Sequence, residues 1–363
     1  MFAELCRFSR RASGPDTPYG MLVPMSEWTE SGAYDVAPGV HRVPLPLPND
    51  GLRAVNVYVI DAPEDGLVLV DSGWSIPEAR DLLVAALDSL GHSLSDVQRF
   101  LVTHVHRDHY TQAVAIRREF GTRVALGEGE LGTLEVTMDP SRMPLQQQLA
   151  ALRAMGAVDL ADFLDKQIAG HDRPAHRSDW ELPDEWLTEG DIAAGDRTLS
   201  VVPTPGHTRG HVVFHDLGNA LLFAGDHVLP TITPSIGFEP VLSPNPLGDF
   251  LASLALVRSR PDARLLPAHG PVTESVHARV DELVAHHGAR LDETEQAVAR
   301  GATTAYDVAG QLKWTRRLRT LEELDPFNQM LAIAETGAHL QLLAAQGRVR
   351  AAESDGLRRY TPV

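Results

Sequence analysis

Residues 103–109 read THVHRDH, so three imidazoles and a carboxylate, His104, His106, Asp108 and His109, fall within six consecutive positions. Imidazole nitrogen and carboxylate oxygen are the donors that borderline divalent cations take up. Where a strand runs out into a loop, His104 and His106 project to one side at a spacing of two. Asp108 and His109 then point at a neighbouring position about a turn away, so two adjacent ions would use all four. Further along, TPGHT brings His207, FAGDH brings Asp226 and LPAHGP brings His269, each just after a strand-like run. Singly, each is an ordinary turn residue. In this order after H-x-H-x-D-H they read as one metal site. Cys6 is the single cysteine, which excludes a thiolate cluster and an intrachain disulfide. No G-x-S-x-G supplies a competing serine nucleophile.

The elements that must position these residues follow from hydrophobic period and punctuation. From 39 to 71, short β-branched runs separated by Pro, Asn, Asp and Gly predict strands joined by tight turns. Leu82, Leu83, Ala86, Leu87 and Leu90 recur at helical intervals before Gly91. RFLVT is a strand that delivers the chain to the histidine cluster, TQAVAIRREFG a helix and TRVALGE another strand. Residues 128–190 differ in texture and are expected to be an insertion, with two amphipathic helices and a polar stretch carrying His171, His176, Trp180 and Trp186. Strands resume at RTLSVVP, HVVFHDLG and ALLFAGDHVL. After 272 the text turns helical and ends on a hairpin around Asp355-Gly356. The expected organisation is a loosely ordered leader over 1–38, a catalytic domain over 39–272, and a small, mostly helical, winged-helix-like domain over 273–363.

The bulk numbers restrict partners. Net charge is −17 with a pI near 5.3, which disfavours phosphate backbones and anionic lipid. The 128–190 segment alone carries −8, and residues 273–363 carry −2. KWTRRLR at 313–319 is the one basic cluster, read as a solvated helix face. No run of eighteen apolar residues occurs, and the lone cysteine fits a reducing cytoplasm. A small-molecule substrate is therefore expected, without nucleic acid or membrane, and a homodimer is a candidate assembly.

THVHRDH, TPGHT, GDH and AHG resemble, in order, the metal-binding series of the metallo-β-lactamase fold hydrolases, and VDSGW with Asp71 resembles that superfamily's first motif. The resemblance spans roughly 39–272. It implies an α/β, four-layer αβ/βα sandwich of two mixed sheets with metals at one edge. GDHVLPTITPSIGF, LPAHGP and LVAHHGARLDE are similar to the branch containing β-lactamase-like protein 2, whose members carry a C-terminal winged-helix-like extension. Residue by residue, the resemblance assigns His104, His106 and His207 to one ion and Asp108, His109 and His269 to the other, with Asp226 bridging. Two zinc ions fit this set, manganese or iron being compatible. The activity implied is hydrolysis, a metal-bridging hydroxide attacking an ester, thioester or lactone carbonyl while Asp108 orients it. The alternative is a metal-dependent endoribonuclease or phosphodiesterase of the same fold. Asp71 is expected to hold a ligating imidazole from behind, or to be a turn aspartate. Tyr110, Arg209 and His211 are expected as substrate contacts, against the plainer reading of packing and surface hydrogen bonding. Phe163, Trp180 and Trp186 would line an apolar channel or anchor the insertion. His286 and His287 read as a partly exposed helix face, and His339 as a core or interface histidine.

Overall fold

A computed structural model describes residues 27–48, 50–62, 66–143, 145–169 and 179–363. Most of the expected leader lies outside these, as do His171 and His176. The first sheet contains β1 (Tyr34–Ala37), β2 (Val40–Pro46), β3 (Ala54–Ala62), β4 (Gly66–Val70), β5 (Val97–Val102), β6 (Arg123–Gly127) and β7 (Glu185–Leu187), in that spatial order. It is antiparallel as far as β4 and parallel from β4 to β7. The second sheet contains β8 (Gly190–Ala194), β9 (Arg197–Pro203), β10 (Val212–Asp216), β11 (Leu221–Gly225) and β12 (Arg264–Pro267), with only β11 and β12 parallel. Both sheets are mixed.

Strand alternation sorts the side chains into three apolar layers. Leu67 and Leu69 of β4 and Phe100 and Val102 of β5 face outward, onto helices α1 (Pro77–Ser89) and α2 (Arg107–Phe120). Val68, Val70 and Leu101 face the other way, meeting Val212, Phe214, Phe223 and Leu266 of the second sheet. Val213 and Leu222 form the opposite face of that second sheet. Each fully buried side chain of this size contributes about 1.5–3 kcal/mol, so a one-residue slip of any central strand would expose a whole row. The four-layer sandwich follows.

The outer face of the second sheet is covered by α6 (Pro246–Ser259), α7 (Val276–Ala299) and α9 (Pro326–Ala345), with α8 (Ala305–Gln311) beside them. Ser275 caps α7, and Asp325 with Pro326 starts α9. The hairpin of β13 (Val349–Ser354) and β14 (Leu357–Pro362) closes the chain. Val349 and Tyr360 belong to the same apolar cluster as the second sheet and as helices α4 (Gln146–Ala154) and α5 (Val158–Ala169). The C-terminal segment and the helical insertion thus share one core with the sandwich. The 128–190 segment is not wholly inserted: its helices are α3 (Leu131–Met138), α4 and α5, while Glu185–Leu187 is strand β7, paired parallel with β6.

One crossing fixes the geometry of the rim. A Cβ on Gly127, at the end of β6, would overlap the Gly210 carbonyl oxygen, and one on Gly129 would come within 2.6 Å of the Arg209 carbonyl. The chain leaving β6 therefore lies flat against the loop that carries His207. Gly127 has an ordinary φ of −56°, so its requirement is purely steric. Gly127→Ala is expected to lose about 1–3 kcal/mol in urea unfolding through overpacking. Gly132→Ala, in α3 with open space around it, should be neutral or gain up to about 1 kcal/mol.

Candidate metal centre

The seven candidate ligands sit at the C-terminal ends of four strands. His104 and His106 follow β5, His207 follows β9, Asp226 follows β11 and His269 follows β12. His106 is the extended residue before α2, so Asp108 and His109 occupy that helix's first turn. The exposed N–H groups and dipole of the helix start favour the Asp108 carboxylate there.

The side chains converge in two groups. His104 Nε2 lies 2.9 Å from His106 Nδ1, and His207 Nε2 lies 3.1 Å from that same atom. Asp226 Oδ2 faces this trio, 3.4 Å from His207 Nε2 and 4.0 Å from His104 Nε2. On the other side, Asp108 Oδ2 is 3.6 Å from His109 Nε2 and 3.5 Å from His269 Nε2. Asp226 Oδ1 faces this second group, at 3.7 and 3.3 Å from the same two nitrogens. One carboxylate thus addresses both groups with different oxygens.

The orphaned atoms test whether cations fit. His109 Nε2, His269 Nε2 and Asp226 Oδ1 are buried without a hydrogen-bond partner. Native proteins rarely leave such atoms unmatched, because each costs about 1–3 kcal/mol. Their protonation is fixed from behind. His269 Nδ1 donates to the Ala54 carbonyl at 2.7 Å, and His207 Nδ1 to the Ser235 carbonyl at 2.8 Å. His109 Nδ1 donates to Asp71 Oδ2 at 2.9 Å. In the neutral tautomers all three therefore turn a bare Nε2 lone pair into the site, the arrangement a metal-ligating imidazole requires. The residues present fit two divalent ions.

Electrostatics point the same way. Burial pushes His104 well below the usual imidazole value, His106 down to about 3, and His207 down, so these three are neutral ligands in waiting. Burial pushes Asp108 up, but His109 and His269 outweigh it and hold the carboxyl at about 2. Burial likewise pushes His109 down, yet Asp71, Asp108 and Asp226 together raise it to about 10. The metal-free site thus retains a proton on His109 to offset its carboxylates.

Asp71 does stand behind a candidate ligand. It sits at φ 60°, a left-handed conformation that non-glycine residues adopt at a cost of order 1–3 kcal/mol, and it also accepts from Thr103 N at 2.8 Å. Tyr110 requires a correction as a substrate contact: its ring is fully buried in the α2 layer and its hydroxyl donates to the Glu181 carbonyl at 2.6 Å. His211 also requires one. It is buried and stacked on His104 at 5.1 Å, with Nδ1 2.9 Å from Thr204 Oγ1 and Nε2 accepting from Asp226 N–H. It positions Asp226 and His104. Arg209 is exposed at the rim, and its backbone N–H donates to Glu239. Trp180 and Trp186 pack half-buried on the α2 layer, whereas Phe163 is exposed.

Several supporting residues carry no sequence signal. Asn56 donates to the Pro267 and Gly270 carbonyls, both at 2.9 Å, holding the His269 loop to β3 across the sandwich. Buried Glu130 accepts from Thr208 at 2.5 Å, tying the His207 loop to the chain after β6.

A layered αβ/βα scaffold with histidines and aspartates gathered at one rim defines a metal-dependent hydrolase. Residues 50–269 match the Metallo-beta-lactamase superfamily, and the chain belongs to that superfamily. It is 25% identical over 319 residues to the Probable metallo-hydrolase YqjP of Bacillus subtilis (strain 168), covering 84% of this chain and 91% of the relative. It is 30% identical over 279 residues to the Beta-lactamase-like protein 2 homolog of Caenorhabditis elegans, covering 75% and 77%. Among solved structures, a Beta-lactamase domain protein from Burkholderia ambifaria superposes with a TM-score of 0.74 at 30% identity, covering 91% of this chain and 94% of that one. Among the described residues no helix is long and apolar enough to cross a membrane.

Two outcomes are expected. Asp71→Ala should weaken Zn2+ binding about 10–100-fold in a competition titration, because His109 loses the acceptor that orients it. The second concerns pH. The His109 value of about 10 lies above the usual 6.5, so its proton stabilises the metal-free fold fully below pH 6.5, and that contribution fades as pH rises towards 10. A cation must displace this proton, so apparent Zn2+ affinity should climb with pH between 6.5 and 8, approaching about tenfold per unit. A flat profile, after correction for the chelator, would contradict the imidazolium.

Proposed function

We propose that this enzyme is a dinuclear hydrolase of ester, thioester or lactone substrates, with zinc as the first choice of metal. His104, His106 and His207 would hold one ion, Asp108, His109 and His269 the other, and Asp226 would be shared. The observation that carries this reading is the division of Asp226, one oxygen facing each group, with Oδ1 left orphaned among imidazoles. Held by these residues, two divalent ions would supply an activated water at neutral pH and polarise a carbonyl oxygen. The residues do the rest. Asp108, ionised far below neutral pH, can accept a hydrogen bond from the attacking water and orient it. The tie of His207 to Ser235 keeps one wall of the site in register with the loop at 235–239.

Gly237, Phe238 and Glu239 of that loop pack on Leu152 and Met155 at the α4 end and on Met330 and Ala334 of α9, leaving a void of only about 10 Å³. The preference for an acyl substrate over a phosphodiester rests on charge: a phosphodiester track needs clustered cations, and the net charge is −17. The basic 313–319 segment is a turn closed by the Trp314–Arg319 backbone bridge rather than a helix face, and its Arg316 donates to the Thr231 carbonyl.

The test is a panel of acyl thioesters, lactones, aryl esters, phosphodiesters and RNA, assayed with zinc-reconstituted protein. Turnover of an acyl substrate that falls at least about 10³-fold in His106→Ala is expected. Cleavage of RNA or phosphodiesters with no acyl turnover would replace this reading by the nuclease one. Asp108→Asn should lower kcat more than KM, because the lost interaction belongs to the attacking water.

A further inference from the structure

Away from the rim, a second set of imidazoles meets where α7 packs against α9. His287 of α7 is fully buried, edge-on to Phe250 of α6 at 5.5 Å, with its Nδ1 3.2 Å from His339 Nε2 of α9. The protons in this chain can be followed. The Glu335 backbone carbonyl can only accept, and it lies 2.8 Å from His339 Nδ1, so that nitrogen carries the hydrogen. His339 Nε2 is then the acceptor for the Nδ1–H of His287. The lone pair of His287 Nε2 is left bare, and that atom is buried with no partner. Burial pushes His287 down to about 2, so a proton does not fill the vacancy at neutral pH.

Two further donors stand beside it. His286, His287 and Glu335 each offer one ligand atom, and these atoms all lie within 4.8 Å of one another. His286 is exposed, which gives an ion a route in from solvent. Burial raises the Glu335 carboxyl to about 7, with Arg290 pulling it down, so its carboxylate form is under-compensated as it stands. A metal ion taken up by one ring nitrogen of each histidine and a Glu335 oxygen would offset the burial of that carboxylate.

We propose that His286, His287 and Glu335 form a further divalent-cation site, structural in role, that clips α7 to α9 through a borderline ion such as Zn2+, with water completing the coordination. The site is independent of the rim's chemistry but lies close behind it. The Phe250 ring that meets His287 also meets His227, the neighbour of Asp226, at 5.2 Å, and a Cβ on Gly206, next to His207, would collide with the backbone of Phe250. An ion here would therefore stiffen the layer on which two rim loops rest.

The experiment uses the full chain, stripped with a chelator and titrated with zinc chloride, bound metal being counted after gel filtration. Glu335→Gln and His286→Ala spare the fully buried His287 itself, and so keep the core intact. Each is expected to hold one equivalent of zinc fewer than the parent chain, and to lose most of the zinc-dependent rise in melting temperature that the rim does not supply. The reading is this difference of one, so it stands apart from how many ions the rim itself takes. Equal zinc counts in the parent chain and both variants would overturn the proposal, and so would loss of the equivalent only when a variant is unfolded by circular dichroism.

Discussion

Burying a cluster of nitrogen and oxygen donors that find no hydrogen-bond partner is the constraint around which this molecule is organised. His109 Nε2, His269 Nε2 and Asp226 Oδ1 face one another in a place closed to solvent. In an ordinary core such a cluster would be eliminated, because its unmatched groups cost more than apolar residues of the same size. It survives here because the backs of the imidazoles are pinned by acceptors that belong to the scaffold: the carbonyls of Ala54 and Ser235 and the carboxylate of Asp71. The fold's net hydrophobic stabilisation offsets the strain, and divalent cations held by these donors would remove its cause.

The pinning acceptors explain why the architecture must be a layered one. Ala54 opens β3 of the first sheet, whereas His269 follows β12 of the second, so the His269 tautomer depends on the two sheets meeting at a fixed height. Asn56 and Tyr58 of β3 both donate to the Pro267 carbonyl, at 2.9 and 2.8 Å, and set that height. The glycine contact between the end of β6 and the His207 loop does the same on the other side of the rim. Site and sandwich are therefore one cooperative object.

How much of this was legible in the chain depended on whether the signal was local. H-x-H-x-D-H and the strand-then-ligand pattern were enough to mark the rim, because side-chain type and spacing alone decide where ligands can gather. Helical phase was harder. Tyr110 follows His109 directly, yet a step of about 100° around α2 turns it from the rim into the core. His286 and His287 differ by the same step: one is exposed as expected, while the other lies fully buried against His339. His211 looked like a rim residue because it borders the PGHT turn, but the crossing of Gly210 over the chain after β6 presses it inward beneath His104. Asn56, Glu130 and Ser235 act through partners far away in sequence, and no local pattern marks them. The short strand β7, only three residues long, was hidden inside a segment whose composition resembled an insertion.

The shared core of the insertion and the C-terminal segment reaches the loop whose Ser235 carbonyl holds His207. Tyr306 N–H donates to the Met155 carbonyl at 3.0 Å, and a Cβ on Gly337 of α9 would strike the Met155 side chain. Gln148 of α4 donates to the Phe238 carbonyl at 3.2 Å, joining the same helix to the loop at the rim. Three segments remote from one another in the chain are therefore locked together behind the loop that ties down His207 through Ser235. Substitutions in α9 or near Tyr306 can shift that loop while leaving every candidate ligand in place. On this scaffold the candidate ligands are set at the strand ends, and the loop behind His207 is set by helices that contribute none of them.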